Sequence, residues 1–248
     1  MVLLLGFLGY FPSAFGGPLR DGVEDRLEGR RAAAQPEGAG EMDPGELSTT
    51  GVRLPPEARL ERDLPYGDDP QQHLDVYIPG QVKAASAFVS NKVAHWLPKG
   101  YVIVSSNYRM SRRPNPLEQA DDIARALAFV QAKAISWGGD PARVLLVGHS
   151  AGAHLVSLLA ADQRIVTGQG GAPWLGTIVL DSAAFNVVEI MRSKHYGFYD
   201  RAFGKDRALW TEASPYHRLT AAPAPMFLVC SSRRSDACPQ ARVFSSKA

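Results

Sequence analysis

Val144-Leu145-Leu146-Val147-Gly148-His149-Ser150-Ala151-Gly152-Ala153-His154-Leu155 passes from an unbroken apolar run, through a Gly-x-Ser-x-Gly turn, into a second apolar run that continues Val156-Ser157-Leu158-Leu159. The first run has the length and composition of a buried strand, the second the length of a buried helix. A turn this tight forces the serine backbone into a strained conformation. Gly148 and Gly152 on either side let strand and helix approach closely. Such an elbow is expected to present the Ser150 hydroxyl at the carboxyl end of the strand and to aim the Ala151 N–H at a developing oxyanion. The chemistry implied is acyl transfer through a serine nucleophile.

Outward from the elbow, strands and helices alternate. Upstream, His73-Leu74-Asp75-Val76-Tyr77-Ile78 alternates in polarity and is expected to pair with a strand near Leu60 as a hairpin. A helix is expected over Asn91–Lys99, closed by Gly100, and a buried strand over Tyr101–Tyr108. Leu117, Ala120, Ile123, Ala124, Leu127 and Val130 recur at helical spacing, predicting a long amphipathic helix over Pro116–Ser136. Downstream, Thr177–Leu180 and Met226–Cys230 read as short buried strands, and Pro239–Lys247 as the start of a helix. The aromatic and charged stretch Val187–Trp210 reads as a cap over a pocket. Trp174, Tyr196, Phe198, Tyr199 and Trp210 are candidates to line that pocket, or equally to fill the core. Continuous apolar strands separated by helices call for an α/β fold with a mostly parallel sheet covered on both faces.

The 248 residues suffice for one large domain with an appended tail. A net charge of +2 gives no case for a nucleic-acid partner, and Arg109, Arg112 and Arg113 read as a solvated basic loop. Residues 1–16 combine an apolar run with the small-x-small pattern Ala14-Phe15-Gly16, as a secretory signal peptide does, and the run is too short for a stable membrane span. No Lys or Arg precedes it, so a buried or frayed N-terminal helix is the competing reading. Secretion or export to a periplasm is therefore expected, with a cytoplasmic location as the alternative. Residues 17–59, rich in Gly, Pro, Glu and Arg, read as a disordered linker, and 60–248 as the folded domain. Cys230 and Cys238, the only cysteines, close a disulfide in an oxidising compartment and remain thiols in a reducing one. No Cys/His spacing marks a metal site, and serine-based acyl transfer needs no cofactor.

Tyr66-Gly67, Leu74-Asp75-Val76-Tyr77, Asn107-Tyr108-Arg109, Gly139-Asp140-Pro141 and the elbow through Leu155 together resemble the α/β-hydrolase esterase/lipase family. The nearest flavour is that of carboxylesterases and kynurenine-formamidase-like enzymes. The resemblance implies the α/β-hydrolase fold and a small-molecule ester or related amide as substrate. It places Asp236, after a late strand and before a helix, as the acid of a Ser–Asp–His set, with Asp181 as a rival acid or a loop brace. It also implies a His-Gly-Gly oxyanion loop on a central strand and a histidine following the acid. Neither is found: Pro79–Ser90 is too short for the former, and no histidine follows Asp236. The domain is accordingly expected to be C-terminally truncated, with the central and last strands missing.

The catalytic histidine thus stays unassigned. His149 lies inside the elbow, His154 one helical turn beyond it, His73 on the hairpin, and His95 on the helix before Tyr101. His195, in the cap, and His217, at a helix end, are the least unsuited to act as base. Two functions follow from these readings: an ester hydrolase working through Ser150, or a hydrolase-fold protein without activity, binding or non-functional.

Overall fold

The computed structural model describes residues 2–6, 59–79, 90–110, 115–220, 223–232 and 235–248, all within one unit spanning residues 1–9 and 51–248. The expected linker as far as residue 58, residues 7–16, the stretch 80–89, Arg112 and Arg113 lie outside them.

The strands are β1 (Val2–Gly6), β2 (Arg59–Pro65), β3 (His73–Ile78), β4 (Val102–Ser106), β5 (Val144–His149), β6 (Gly176–Leu180) and β7 (Met226–Val229). The helices are α1 (Ser90–Trp96), α2 (Pro116–Lys133), α3 (Ala151–Ala161), α4 (Arg164–Gly168), α5 (Val187–Arg192), α6 (Gly197–Phe203), α7 (Arg207–Glu212), α8 (Pro215–Arg218) and α9 (Ala237–Ser245). One seven-stranded sheet has the order β2-β3-β4-β1-β5-β6-β7. The β2–β3 and β3–β4 pairs are antiparallel, and every other pair is parallel.

Side chains alternate across the sheet and build two cores. Leu74, Val76, Val102, Val104, Val144, Leu146 and Val179 meet α2, α3 and Phe244 of α9 on one face. On the other, Tyr77, Ile103 and Val147 meet Val93 and Leu97. The elements on the first face start and stop for local reasons. Asn115 caps α2 by accepting from the Leu117 N–H at 3.0 Å, Pro116 fits the first turn, and Ala120, Ile123, Ala124, Leu127 and Val130 form its buried stripe. A short 3₁₀ turn, Ala134–Trp137, then ends at Gly138, whose φ of 74° suits glycine. The second face is thinner at its β6–β7 end, where Phe227 is 66% exposed.

The two sheet edges differ. β2 carries Arg59, Glu61, Arg62 and Asp63 and a register shift between Glu61 and Leu64, with Asp63 at φ 52°; charge and bulge both discourage further pairing. No strand pairs with the outer side of β7 among the described residues.

The expectation of a missing central strand is corrected. No described residue between β3 and β4 supplies that strand, but Val2–Gly6, from the expected leader, fills the place parallel to both β4 and β5. Two interior strands facing an empty slot would each leave a row of unpaired backbone groups, and an apolar segment from elsewhere in the chain removes that cost. A second correction concerns Arg109. It is no solvated loop residue: its Nη2 lies 2.7 Å from Oδ1 of the fully buried Asp122, because a buried carboxylate needs a charged partner.

Candidate active site

Ser150 has φ 54° and ψ −115°, a conformation few residues other than glycine adopt, costing about 1–3 kcal/mol. Its neighbours hold it there. The Ser150 N–H donates to the Leu180 carbonyl at 2.9 Å, and the His154 N–H donates to the Ser150 carbonyl at 3.1 Å. Gly148 permits the close approach that makes the bend: a Cβ there would lie 2.3 Å from the Gly152 carbonyl oxygen. Ser150 is half-buried, and its hydroxyl has no hydrogen-bond partner among the described residues. Ala151 opens α3, where the first N–H groups have no acceptor within the helix and carry its positive end.

The two candidate acids follow β6 and β7. Asp181 follows β6 at φ 56°, its N–H donating to the Val229 carbonyl at 2.7 Å and its Oδ1 accepting from the Ser231 N–H at 2.8 Å. It braces two strand ends. Asp236 stands at the start of α9, half-buried, and accepts from the Tyr199 hydroxyl at 3.4 Å. Cys230 and Cys238 are joined by a disulfide, so the turn carrying Asp236 is closed covalently at both ends. Of the two cysteine states left open by the sequence, the structure has the bonded one. Reducing it should cost about 2–3 kcal/mol by the loop-entropy estimate, or roughly 5–10 °C in melting temperature for a chain of this size. Paired thermal melts with and without a phosphine reductant check this, and superimposable curves would refute it.

The histidines are engaged elsewhere. None of the six bonds to Ser150. His73 contacts the Pro70 carbonyl and Asn107, His95 contacts Lys99, and His149 is exposed. His195 pairs with Asp200 at 3.1 Å, which together with the Ser193 carbonyl raises its pKa. His217 bonds the Ser214 hydroxyl at 2.9 Å, and burial, with Lys247 and Arg192 nearby, lowers its pKa. His154 is buried, its Nδ1–H donating to the Ala184 carbonyl at 2.8 Å and its ring edge-on to Phe203. Its Nε2 has no partner.

Burial pushes the His154 pKa down to about 4, against the opposing pull of the Ala184 carbonyl. The folded ring therefore holds fewer protons than the unfolded chain at mildly acid pH. This contribution to stability is complete above the ordinary histidine pKa and is lost as pH falls from there toward about 4, by about 3 kcal/mol in all. Urea midpoints measured from pH 7 to pH 4 should fall more steeply for the native chain than for a His154→Leu variant; parallel curves would remove the effect.

The aromatic candidates divide between core and surface. Trp174 is core, its indole N–H donating to the Thr177 hydroxyl at 2.9 Å. Tyr199 and Phe203 are buried, whereas Tyr196 and Phe198 stack on one another in the open. The sequence reading missed Tyr199 as the partner of Asp236, since nothing local to either residue signals a contact across 37 positions. Among the described residues no cluster of three His, Cys, Asp or Glu could hold a metal ion, and no helix is long and apolar enough to cross a membrane.

Against this geometry, the BD-FAE family model matches residues 75–172, a span from within β3 to just past α4. Esterase LipQ of Mycobacterium tuberculosis is 28% identical over 218 residues, covering 74% of this chain and 51% of the relative. A probable isoprenylcysteine alpha-carbonyl methylesterase, ICMEL1, of Oryza sativa is 31% identical over 130 residues, 45% of this chain and 30% of the relative. The chain thus spans about half the length of the first and under a third of the second. Among solved structures, esterase B of Lactobacillus rhamnosis superposes with TM-score 0.62 at 19% identity, over 92% of this chain and 76% of that one. A putative thioesterase from Silicibacter sp. superposes with TM-score 0.60 at 18% identity, over 95% and 83%.

Proposed function

On the premise that this chain is an α/β-hydrolase-fold relative of the esterases, we propose that it acts on carboxylic esters of small molecules through an acyl-enzyme on Ser150. The observation that carries the reading is the strained elbow. A φ of 54° at a serine, held by hydrogen bonds on both sides, costs stability and serves no packing need that a glycine would not meet better. In the proposed reaction the Ser150 oxygen attacks the ester carbonyl, the Ala151 N–H at the head of α3 receives the oxyanion, the alcohol leaves, and water releases the acid. Asp236 takes the acid position, steadied by Tyr199 and by the disulfide.

With no histidine bonded to Ser150, the proton of the attacking hydroxyl goes to solvent. Turnover is then expected to be low, by about a million-fold against a serine hydrolase with its full set of groups. Activated esters are the fitting substrates, and the trapped acyl group is the fitting measurement. After exposure to p-nitrophenyl acetate, peptide mapping should find acetate on Ser150 and none at that position in Ser150→Ala. The acetylation rate should climb steadily with pH. An inflection near the ordinary histidine pKa would reveal a histidine base and overturn solvent as the acceptor. A native chain in which Ser150 stays unmodified would overturn the serine mechanism.

A further inference from the structure

The central strand comes from the wrong place in the chain. β3 leads to α1 and then β4, with which β3 itself pairs antiparallel, so the run from β3 to β4 leaves the slot beside β4 open. Val2–Gly6 enters it from the amino terminus, with Val2 level with Val102 and Val144, and Gly6 level with Ser106 and Gly148. All five residues pair on both sides, parallel to both neighbours.

We propose that the slot between β4 and β5 is a strand-binding site, filled by the chain's own Val2–Gly6 and able to take the same segment as a free peptide. Paired strands lie about 4.8 Å apart, so an empty slot leaves β4 and β5 about 10 Å apart. That is beyond the reach of any N–H···O bond. The sheet then parts into β2-β3-β4 and β5-β6-β7, with a row of unsatisfied backbone donors and acceptors on each inner edge. Residues 7–58 separate the occupant from β2 in the chain.

The slot sets the ligand's chemistry. It takes an extended segment, parallel to β4 and β5, free of proline across five residues because each interior position donates to a neighbour. Its last position pairs with Ser106 on one side and Gly148 on the other. The segment Val2-Leu3-Leu4-Leu5-Gly6 meets each requirement. It also lies inside the leader-like pattern that ends at Ala14-Phe15-Gly16. Cleavage there would make the occupant a separate peptide, held in the slot by pairing alone.

The test is complementation, and it uses no chemistry at Ser150, so its failure is separate from failure of the ester-hydrolase reading. A chain lacking residues 1–16 is refolded alone, with a peptide of residues 1–10 carrying a Lys-Lys tail for solubility, and with the Leu4→Pro form of that peptide. Alone, it should show no cooperative thermal transition by circular dichroism. The native peptide should restore the transition at one-to-one stoichiometry, and the Leu4→Pro peptide should bind about 100-fold more weakly or worse. In the full chain, Leu4→Pro should lower the melting temperature. A truncated chain that melts like the full one, equal rescue by native and proline peptides, no rescue by the native peptide, or an unchanged melting temperature for the full-length proline variant would each overturn the proposal.

Discussion

Gly148→Ala is expected to yield little folded protein, the largest loss foreseen for any single methyl group in this chain. The added Cβ would lie 2.3 Å from the Gly152 carbonyl oxygen, 2.5 Å from its carbon and 2.6 Å from the Ala153 nitrogen. All three are backbone atoms of the first turn of α3, so no side chain can rotate aside. Relief requires β5 and α3 to separate. That movement pulls on the Ser150 N–H bond to Leu180, the His154 N–H bond to Ser150, and the buried contacts of Leu155, Leu158 and Leu159. Overpacking of a core costs about 1–3 kcal/mol where side chains can yield. Here only backbone can, and a loss above about 4 kcal/mol, close to the whole stability of many domains, is the consequence. Gly168→Ala is the control: at the end of α4, with nothing within 4 Å of its would-be Cβ, it should be neutral or slightly stabilising. Soluble yield and the urea midpoint of the two variants decide the matter. A Gly148→Ala chain that unfolds at the native midpoint would show that the elbow is looser than its geometry.

What could be read from the sequence was what depends on neighbours along the chain. The elbow, the buried stripe of α2 and the run of β4 all follow from periods, turns and breakers within a few residues. The strand end at Asp181 was legible for the same reason, and Asp181 does brace a loop. The remainder rests on partners far apart in sequence. Val2–Gly6 has an apolar composition that suits a leader as well as a strand, and only the vacancy between β4 and β5 selects the strand. Tyr199 reads as one aromatic among several until Asp236 is brought to it. Arg109 reads as one arginine of three because its carboxylate lies a helix away, on the buried side of α2.

Asp122→Asn is expected to cost about 3–5 kcal/mol, although the side chain changes by one atom. The carboxylate is fully buried and surrounded by donors. The Arg109 N–H reaches Oδ2 at 3.0 Å, Arg109 Nε reaches Oδ2 at 2.9 Å, Arg109 Nη2 reaches Oδ1 at 2.7 Å, and the amide of Gln72 reaches Oδ1 at 2.6 Å. In the asparagine variant one oxygen becomes an NH₂ facing donors, and the guanidinium loses the negative charge that raises its pKa. The damage extends beyond one contact, because the three partners come from different elements. Gln72 leads into β3, Arg109 follows β4, and Asp122 belongs to α2. The Tyr66 hydroxyl, donating to the Asn107 carbonyl beside them, has its pKa raised first by burial and then by the Asp122 charge. A network of this kind specifies an arrangement more than it adds net stability, so replacing both ends by apolar residues should do less harm than breaking one. Arg109→Met with Asp122→Leu should therefore recover much of what Asp122→Asn loses. Urea unfolding of the two variants at pH 7 measures the difference. A loss under about 1 kcal/mol in Asp122→Asn would mean that solvent reaches the carboxylate, and that the hairpin is held to α2 by apolar contact alone.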